Sequence, residues 1–492
     1  MALTRRDFVA ASSAAAVTLA RASLAFADEV APLDPAALKK LATRFSGTLV
    51  TPQSAEYASL RQVFNRAFDR RPQLIARCAN AADVARALVF ARERGLPIAV
   101  RGGGHNRAGL SICDGGVVID LATLRRVNVD AGKRRAQVEA GALTVHVDSA
   151  TQRHGLATTL AGCPTVGVAG LTLGGGEGLL MSKFGAACDN LLSAELVSAD
   201  GKLLKASATS NPDLFWAIRG GGGNFGIATA LEYQLHPVSM VLAGTLTFAP
   251  GRTAQLLETF ARFVAHAPDE MNVVGMLVGS ELGPRFQMLV CHCGEPAAGN
   301  KLLAPFRALT PTEEKIRVAP YFEINTTINP AAPAAHFQTN LFLPTLDAAA
   351  IAIIAEATRD APPGTRVFMV PLYGAISRVK PADTAFALRS PGIELDLMGR
   401  WDDGGQGRER VIEWVKDLRD ALRRRATGAY VNQLGETSEA LVRLAYGANY
   451  PRLAALKQKY DPDNALRSNQ NITPGADAST PAFPGTGMTP TR

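Results

Sequence analysis

Three runs of glycine within one stretch of the chain raise the first chemical question. They are Arg101-Gly102-Gly103-Gly104-His105-Asn106, Gly174-Gly175-Gly176-Glu177-Gly178 and Gly220-Gly221-Gly222-Gly223-Asn224-Phe225-Gly226. Lacking a Cβ, glycine lets backbone N–H groups line up against the oxygens of a pyrophosphate. Each run alone reads equally well as a plain turn. A dinucleotide site of the Rossmann kind needs a strand, a GxGxxG turn and a helix. Here the third run is followed by Ile227 to Leu235, which alternates as a strand does, so the helix that should carry the dipole is missing.

Other residues carry chemistry of their own. His105 closes the first run, and Cys163 stands in Gly162-Cys163-Pro164-Thr165-Val166-Gly167-Val168-Ala169-Gly170. Taken singly, such residues are a satisfied core histidine and a small buried thiol. The segment Ile393 to Trp401 alternates, placing Glu394, Asp396 and Met398 on one face. Carboxylates there belong either to a solvated sheet face or to a cavity where burial raises their pKa. Cys291-His292-Cys293 looks like a metal cluster, but in an alternating strand its two thiols simply share a face, and no other cysteine stands at metal-site spacing. No metal is expected.

These residues must be positioned by regular elements. Ala82 to Arg94 has helical spacing, Gly95-Leu96-Pro97 breaks it, and Ile98-Ala99-Val100 reads as a buried strand feeding the first glycine run. Further strands are expected at Gly116 to Asp120, Ala136 to Glu139 and Ala194 to Val197, giving an α+β unit up to about Pro237. Beyond it, alternating runs at Ala243 to Phe248, Arg285 to Val290 and Ile393 to Trp401 are separated by amphipathic stretches, which predicts an antiparallel sheet covered by helices. No fixed-period repeat argues for a solenoid or propeller.

At 492 residues the chain exceeds what one core supports, and 47% hydrophobic with 20% charged residues is an ordinary globular balance. The formal charge of +8 is scattered; its densest cluster, Arg423-Arg424-Arg425, ends a helical pattern, where cations complement the helix dipole. Nucleic acid is therefore not an expected partner. Thr4-Arg5-Arg6-Asp7-Phe8-Val9, a short apolar run to Ala20 and the small-residue site Ala25-Phe26-Ala27 form a twin-arginine signal pattern. Export of an already folded, cofactor-loaded protein to the periplasm or beyond is the expectation. The run is too short to span a bilayer, and no later apolar stretch is long enough, so no stable membrane anchor is expected. Six cysteines are too few for a disulfide scaffold.

Taken in order, the Arg101–His105 run, Gly162–Gly170 with Gly174–Gly176, Asp189-Asn190, Asn211–Gly226, Tyr460–Asn464 and Asn469–Pro474 resemble the berberine-bridge-enzyme-like branch of the vanillyl-alcohol-oxidase superfamily, from about Arg71 to Pro474. The resemblance implies a PCMH-type FAD-binding domain of two α/β subdomains over 28–237, after a signal peptide at 1–27. A substrate domain over 238–444 would follow, then a segment at 445–474 returning to the FAD domain and a loose tail at 475–492. It further implies FAD bonded to both His105 and Cys163, with Arg101, Gly102, Gly103, Gly104, Asn106, Gly162, Thr165, Gly167, Gly170, Gly174, Gly175, Gly176, Asn224, Gly226, Ile227, Asn469 and Asn471 around the cofactor. Val166 resembles the position that regulates dioxygen access, a small side chain there favouring an oxidase.

Carried over, the resemblance makes Asp396 the acidic residue of the active site. The family's Tyr-x-Asn-Tyr motif reads Tyr430-Val431-Asn432-Gln433 here, so its second tyrosine, a phenolate base, is replaced by Gln433. Either Asp396 is the base alone or the reaction departs from simple alcohol oxidation. The leading expectation is an oxidase of an alcohol on a small molecule, with dioxygen as acceptor. A dehydrogenase with another acceptor, a flavoprotein without turnover and an NAD enzyme are the alternatives.

Overall fold

A computed structural model describes residues 33–328, 332–402 and 404–475. The signal pattern at 1–27 and the tail beyond Gly475 lie outside the described residues. The chain divides into two units, residues 1–44 and residues 45–492. In the first, Asp34 caps the helix Pro35–Ala42 by accepting the N–H of Ala36. Everything below concerns the second.

Four strands, β1 (Thr48–Val50), β2 (Leu74–Arg77), β3 (Ile98–Arg101) and β4 (Val117–Asp120), form a first sheet in the order β1-β2-β4-β3. Its parallel pairs, β2 with β4 and β3 with β4, need a crossover, supplied by the helix Ala81–Glu93. Asn80 starts that helix by accepting the N–H of Asp83 at 2.9 Å. A second sheet has the order β5-β6-β10-β8-β9, built from β5 (Val127–Asp130), β6 (Arg135–Glu139), β8 (Leu191–Val197), β9 (Leu203–Ser207) and β10 (Ile227–Gln234). The short β7 (Leu156–Ala157) pairs with β11 (His236–Pro237).

The third sheet has eight strands: β12 (Met240–Phe248), β13 (Met271–Val278), β14 (Arg285–His292), β15 (Glu313–Glu314), β16 (Arg317–Pro320), β17 (Ala335–Leu343), β18 (Thr365–Leu372) and β19 (Gly392–Trp401). Its main order is β15-β12-β14-β13-β18-β19-β17, and every pairing is antiparallel. Period-two alternation sorts its side chains onto two faces. Val273, Leu277, Met288, Val367, Leu395 and Leu397 enter one core with the helices Thr253–Val264, Ala348–Arg359 and Arg408–Leu422. Their strand neighbours, among them Val274, Gln287, Phe368, Asp396 and Met398, face a cavity instead. The expected α+β architecture and helix-covered antiparallel sheet are both present.

Candidate active site

The cavity measures about 860 Å³, in the upper part of the ~300–1,000 Å³ range of small-molecule sites. Its floor forms where two loops meet backbone to backbone. Beyond β3, Gly103 lies so close to Gly167 that a Cβ on it would stand 2.3 Å from the Gly167 nitrogen, and Gly104 takes a φ of +72°. That contact brings His105 and Cys163 to the same place. His105 Nε2 is 2.9 Å from Thr165 Oγ1, and the Cys163 sulfur is 3.6 Å from that same hydroxyl. Phe64 stacks on the His105 ring at 3.9 Å. Burial, then the charges of Arg107 and His336, push the imidazole down to about 3, so the ring is neutral.

The cavity also holds a carboxylate cluster, in which the folded chain joins Glu177 and Asn340 to the Glu394 and Asp396 of the strand face. Asn340 of β17 pairs with Asp396 of β19 and donates its amide to two acids, Glu394 at 2.6 Å and Asp396 at 2.7 Å. Its own oxygen accepts the N–H of Tyr430 at 2.6 Å. Glu177 joins them from the loop after the second glycine run. Burial raises all three acids: Glu177 to about 7, Asp396 to about 6 and Glu394 well above its usual range. Hydrogen bonds from Glu394 and Asn340, and then the charge of Arg107, hold Asp396 lowest. Asp396 is thus the acid of the cluster that gives up its proton most readily, and it faces the cavity.

Gln433 also lines the cavity, its oxygen accepting from Arg107 Nε at 3.1 Å and Gln338 Nε2 at 2.9 Å. Tyr430 is buried; its hydroxyl receives the N–H of Gly176 at 2.9 Å and the Asn432 amide at 2.8 Å, and burial raises it far above its usual range. It is a fixed phenol rather than a base.

The remaining sequence candidates separate cleanly. Asn106, Gly162, Val166, Gly170, Gly226, Ile227 and Asn469 line the cavity with Gly103, Gly104, His105 and Cys163. Gly167 does so too, whereas Thr165 enters through its hydroxyl bonds alone. Gly174, Gly175 and Gly176 lie off the lining, and a Cβ there would come within 2.1 Å of Asn432, 2.6 Å of Phe386 and 2.4 Å of Ala187. Arg101 and Gly102 also lie off the lining, Arg101 being paired to Asp120 at 2.9 Å. Asn224 is buried as a tie, donating to the carbonyls of Gly221 and Gln470 and accepting from Ile472 N, and Asn471 lies outside the lining. Sequence reading missed Arg107, Gln338 and Asn340; polar residues inside the otherwise apolar run Ala335–Leu343 were the available signal.

The residues present suit FAD. Gly170 and Gly223 border the cavity with nothing within 4 Å of where a Cβ would stand, and Gly222 has a φ of +71°. Such bare backbone is what a pyrophosphate needs. Nearby, the side-chain oxygens of Asn469 and Gln470 are buried without a partner among the described residues.

Residues 72–207 match the FAD binding domain family, and residues 429–473 match the berberine and berberine-like family. An FAD-linked oxidoreductase of Bacillus subtilis (strain 168), itself uncharacterized, is 32% identical over 443 residues, 88% of this chain and 98% of that one. This chain belongs to the berberine-bridge-enzyme-like FAD-linked oxidoreductases. The (R)-6-hydroxynicotine oxidase of Paenarthrobacter nicotinovorans is 32% identical over 457 residues, covering 88% and 99% of the two chains. The crystal structure of 6-hydroxy-D-nicotine oxidase from Arthrobacter nicotinovorans matches with a TM-score of 0.81 at 29% identity, over 87% of this chain and 98% of that one. The fold of this oxidoreductase is accordingly the PCMH-type FAD-binding fold, and FAD is its cofactor.

Proposed function

We propose that this oxidoreductase holds FAD through bonds to both His105 and Cys163 and oxidises an alcohol group of a sugar or secondary metabolite. The observation that carries the reading is the meeting of a neutral imidazole and a thiol across one hydroxyl, Thr165, on the wall of a cavity that also holds an ionised Asp396. The chemistry FAD would supply when bound is that of a hydride acceptor, reoxidised by dioxygen with hydrogen peroxide as the product. Asp396 takes the hydroxyl proton, held in position by Asn340 and supported by the charge of Arg107. Gln433 cannot act as a phenolate; with its oxygen tied to Arg107 and Gln338, its amide is left to donate to substrate. Val166 on the lining supports dioxygen as acceptor. The twin-arginine pattern supports export of the flavin-loaded chain, where covalent attachment prevents loss of the cofactor.

The test is an intact mass of the mature protein with its visible spectrum, before and after acid denaturation. Retained yellow colour and the added mass of FAD are expected, followed by hydrogen peroxide release on an alcohol screen. His105→Ala should keep FAD through Cys163 alone, at a lower flavin potential. Wild-type protein that denatures to bare polypeptide would overturn the bicovalent reading, and peroxide-free turnover with an artificial acceptor would make the enzyme a dehydrogenase.

A further inference from the structure

The inner face of the eight-stranded sheet carries charges in an order that points to the substrate. Register places Arg285 of β14 and Arg366 of β18 on either side of Val278, and Arg366 beside Met398 of β19. Two residues along β19 in one direction stands Asp396; two in the other stands Arg400. Arg366 is therefore diagonal to both, at the ~7–8 Å spacing of diagonal cross-strand neighbours. All three arginines line the cavity.

None of the three forms an ion pair among the described residues, and neither Arg366 nor Arg285 makes any side-chain hydrogen bond there. Arg400 reaches only the Ala332 carbonyl, at 3.4 Å. Arg366 is partly buried, and burial together with Arg400 pulls it below the usual arginine range. Asp396 does not neutralise it, being held by Asn340 and nearer in effect to Arg107. Like charges drawn together in a partly dry cavity without a counter-ion are unfavourable until an anion arrives. These arginines leave the same sheet as Asp396, whereas the bare glycine backbones suited to FAD come from the loops 102–105, 162–170 and 220–226.

We propose that Arg366 and Arg400, with Arg285 at the rim, bind a carboxylate of the substrate, so that the enzyme acts on acidic alcohols such as sugar acids or hydroxy acids. The inference rests on the alcohol-oxidase reading and names its substrate class. The guanidinium fork matches a carboxylate in two parallel hydrogen bonds, and the diagonal spacing sets that group about one strand repeat from the carbon whose hydroxyl meets Asp396.

The flavin-loaded enzyme is titrated with D-glucuronate, D-galacturonate and mandelate, each beside its methyl ester, following flavin absorbance and, separately, heat. At least one acid should bind tighter than its ester by roughly tenfold or more, the scale of one charge-assisted hydrogen bond. Added salt should erode the preference, Arg366→Gln should abolish it, and Arg366→Lys should keep part of it, all with flavin content unchanged. Equal binding of acid and ester across the set overturns the proposal. So does a preference that survives Arg366→Gln, or a variant that loses flavin while keeping the preference, which would assign the arginine to the cofactor. If Arg366→Gln fails to fold, the salt dependence of the wild type and the smaller loss in Arg285→Gln decide. Acid preference with no alcohol oxidised would sink the alcohol-oxidase reading alone; oxidation of neutral alcohols without acid preference would sink this one alone.

Discussion

Asp396 and Glu394 stand two residues apart on one strand face, share one amide and are both buried, yet their hydrogen bonds and neighbouring charges separate their roles. Glu394, with no exposure and the neighbouring charges of Glu177 and Asp396, stays protonated; Asp396, raised only to about 6, is ionised at neutral pH. Asp396→Asn should therefore lower the rate of flavin reduction by about 10²–10⁴-fold, the usual worth of a positioned base, with a much smaller change in KM. Stopped-flow reduction checks this, and a variant retaining a tenth of the rate would remove Asp396 from the chemistry. The base form lies above its pKa, so the wild-type rate should climb as pH rises through about 6, and the limb should vanish in the variant. Glu394→Gln replaces a group that already carries its proton and keeps a donor and acceptor in place, so the rate should change by less than roughly tenfold. An equal collapse in both variants would mean that the cluster, not Asp396, holds the proton.

Elements explain why some of the site could be read from the sequence and some could not. His105 and Cys163 were legible only through the resemblance of the motifs that hold them, since each alone reads as an ordinary buried residue; the glycines of those motifs mark close backbone approach, as Gly103 against Gly167 shows. In the second glycine run, Gly174, Gly175 and Gly176 lie close against Asn432, Phe386 and Ala187 while Glu177 and Gly178 line the cavity, a division that composition alone does not show. Alternation revealed β19, but the polar residues of β17, His336, Gln338, Thr339 and Asn340, do not alternate strictly with apolar ones, so the period-two signal that would have exposed Gln338 and Asn340 is absent. The contact between the helices Thr144–Gln152 and Tyr321–Thr327 was equally invisible. There Asn325 donates to Asp148 at 2.7 Å and to the carbonyl of Ala161 at 3.1 Å, one residue before Gly162. Burial raises Asp148 from 3.8 to about 7. Asp148 binds its proton more tightly folded than unfolded, so its contribution is complete below about pH 4 and is lost as pH rises to about 7. Asp148→Asn should match the wild type near pH 4, gain on it by up to about 1.4 kcal/mol per pH unit toward pH 7, and hold a constant advantage above. Urea unfolding across that range measures it, and an advantage independent of pH would show that Asp148 stays ionised in the folded state.

At the scale of the whole molecule, the site is closed by a segment that returns from the end of the described chain to a loop more than two hundred residues earlier. Lys457 of the helix Tyr450–Tyr460 is fully buried, and its ammonium spends all three donors: on the carbonyl of Asn224 at 2.9 Å, on Asp461 at 2.6 Å and on the carbonyl of Leu466 at 3.0 Å. Asn224 in turn receives the N–H of Ile472 and donates to the carbonyl of Gln470, so one lysine fixes both the third glycine run and the stretch carrying Asn469 and Gln470 on the cavity wall. Replacing it with Lys457→Met leaves two carbonyls buried without this donor and the Asp461 carboxylate buried without its counter-charge, held by the N–H groups of Ala465 and Leu466, an arrangement that destabilises by about 3–5 kcal/mol. Lys457→Met with Asp461→Asn removes the stranded charge and should recover part of that loss, giving a coupling well above the few tenths expected of independent sites. Because both segments line the cavity, the single variant should also show faster proteolysis between 457 and 475 that flavin loading slows. If the double variant were no more stable than Lys457→Met, the ammonium would be acting through the two carbonyls alone, and the closure would rest on backbone geometry rather than on the ion pair.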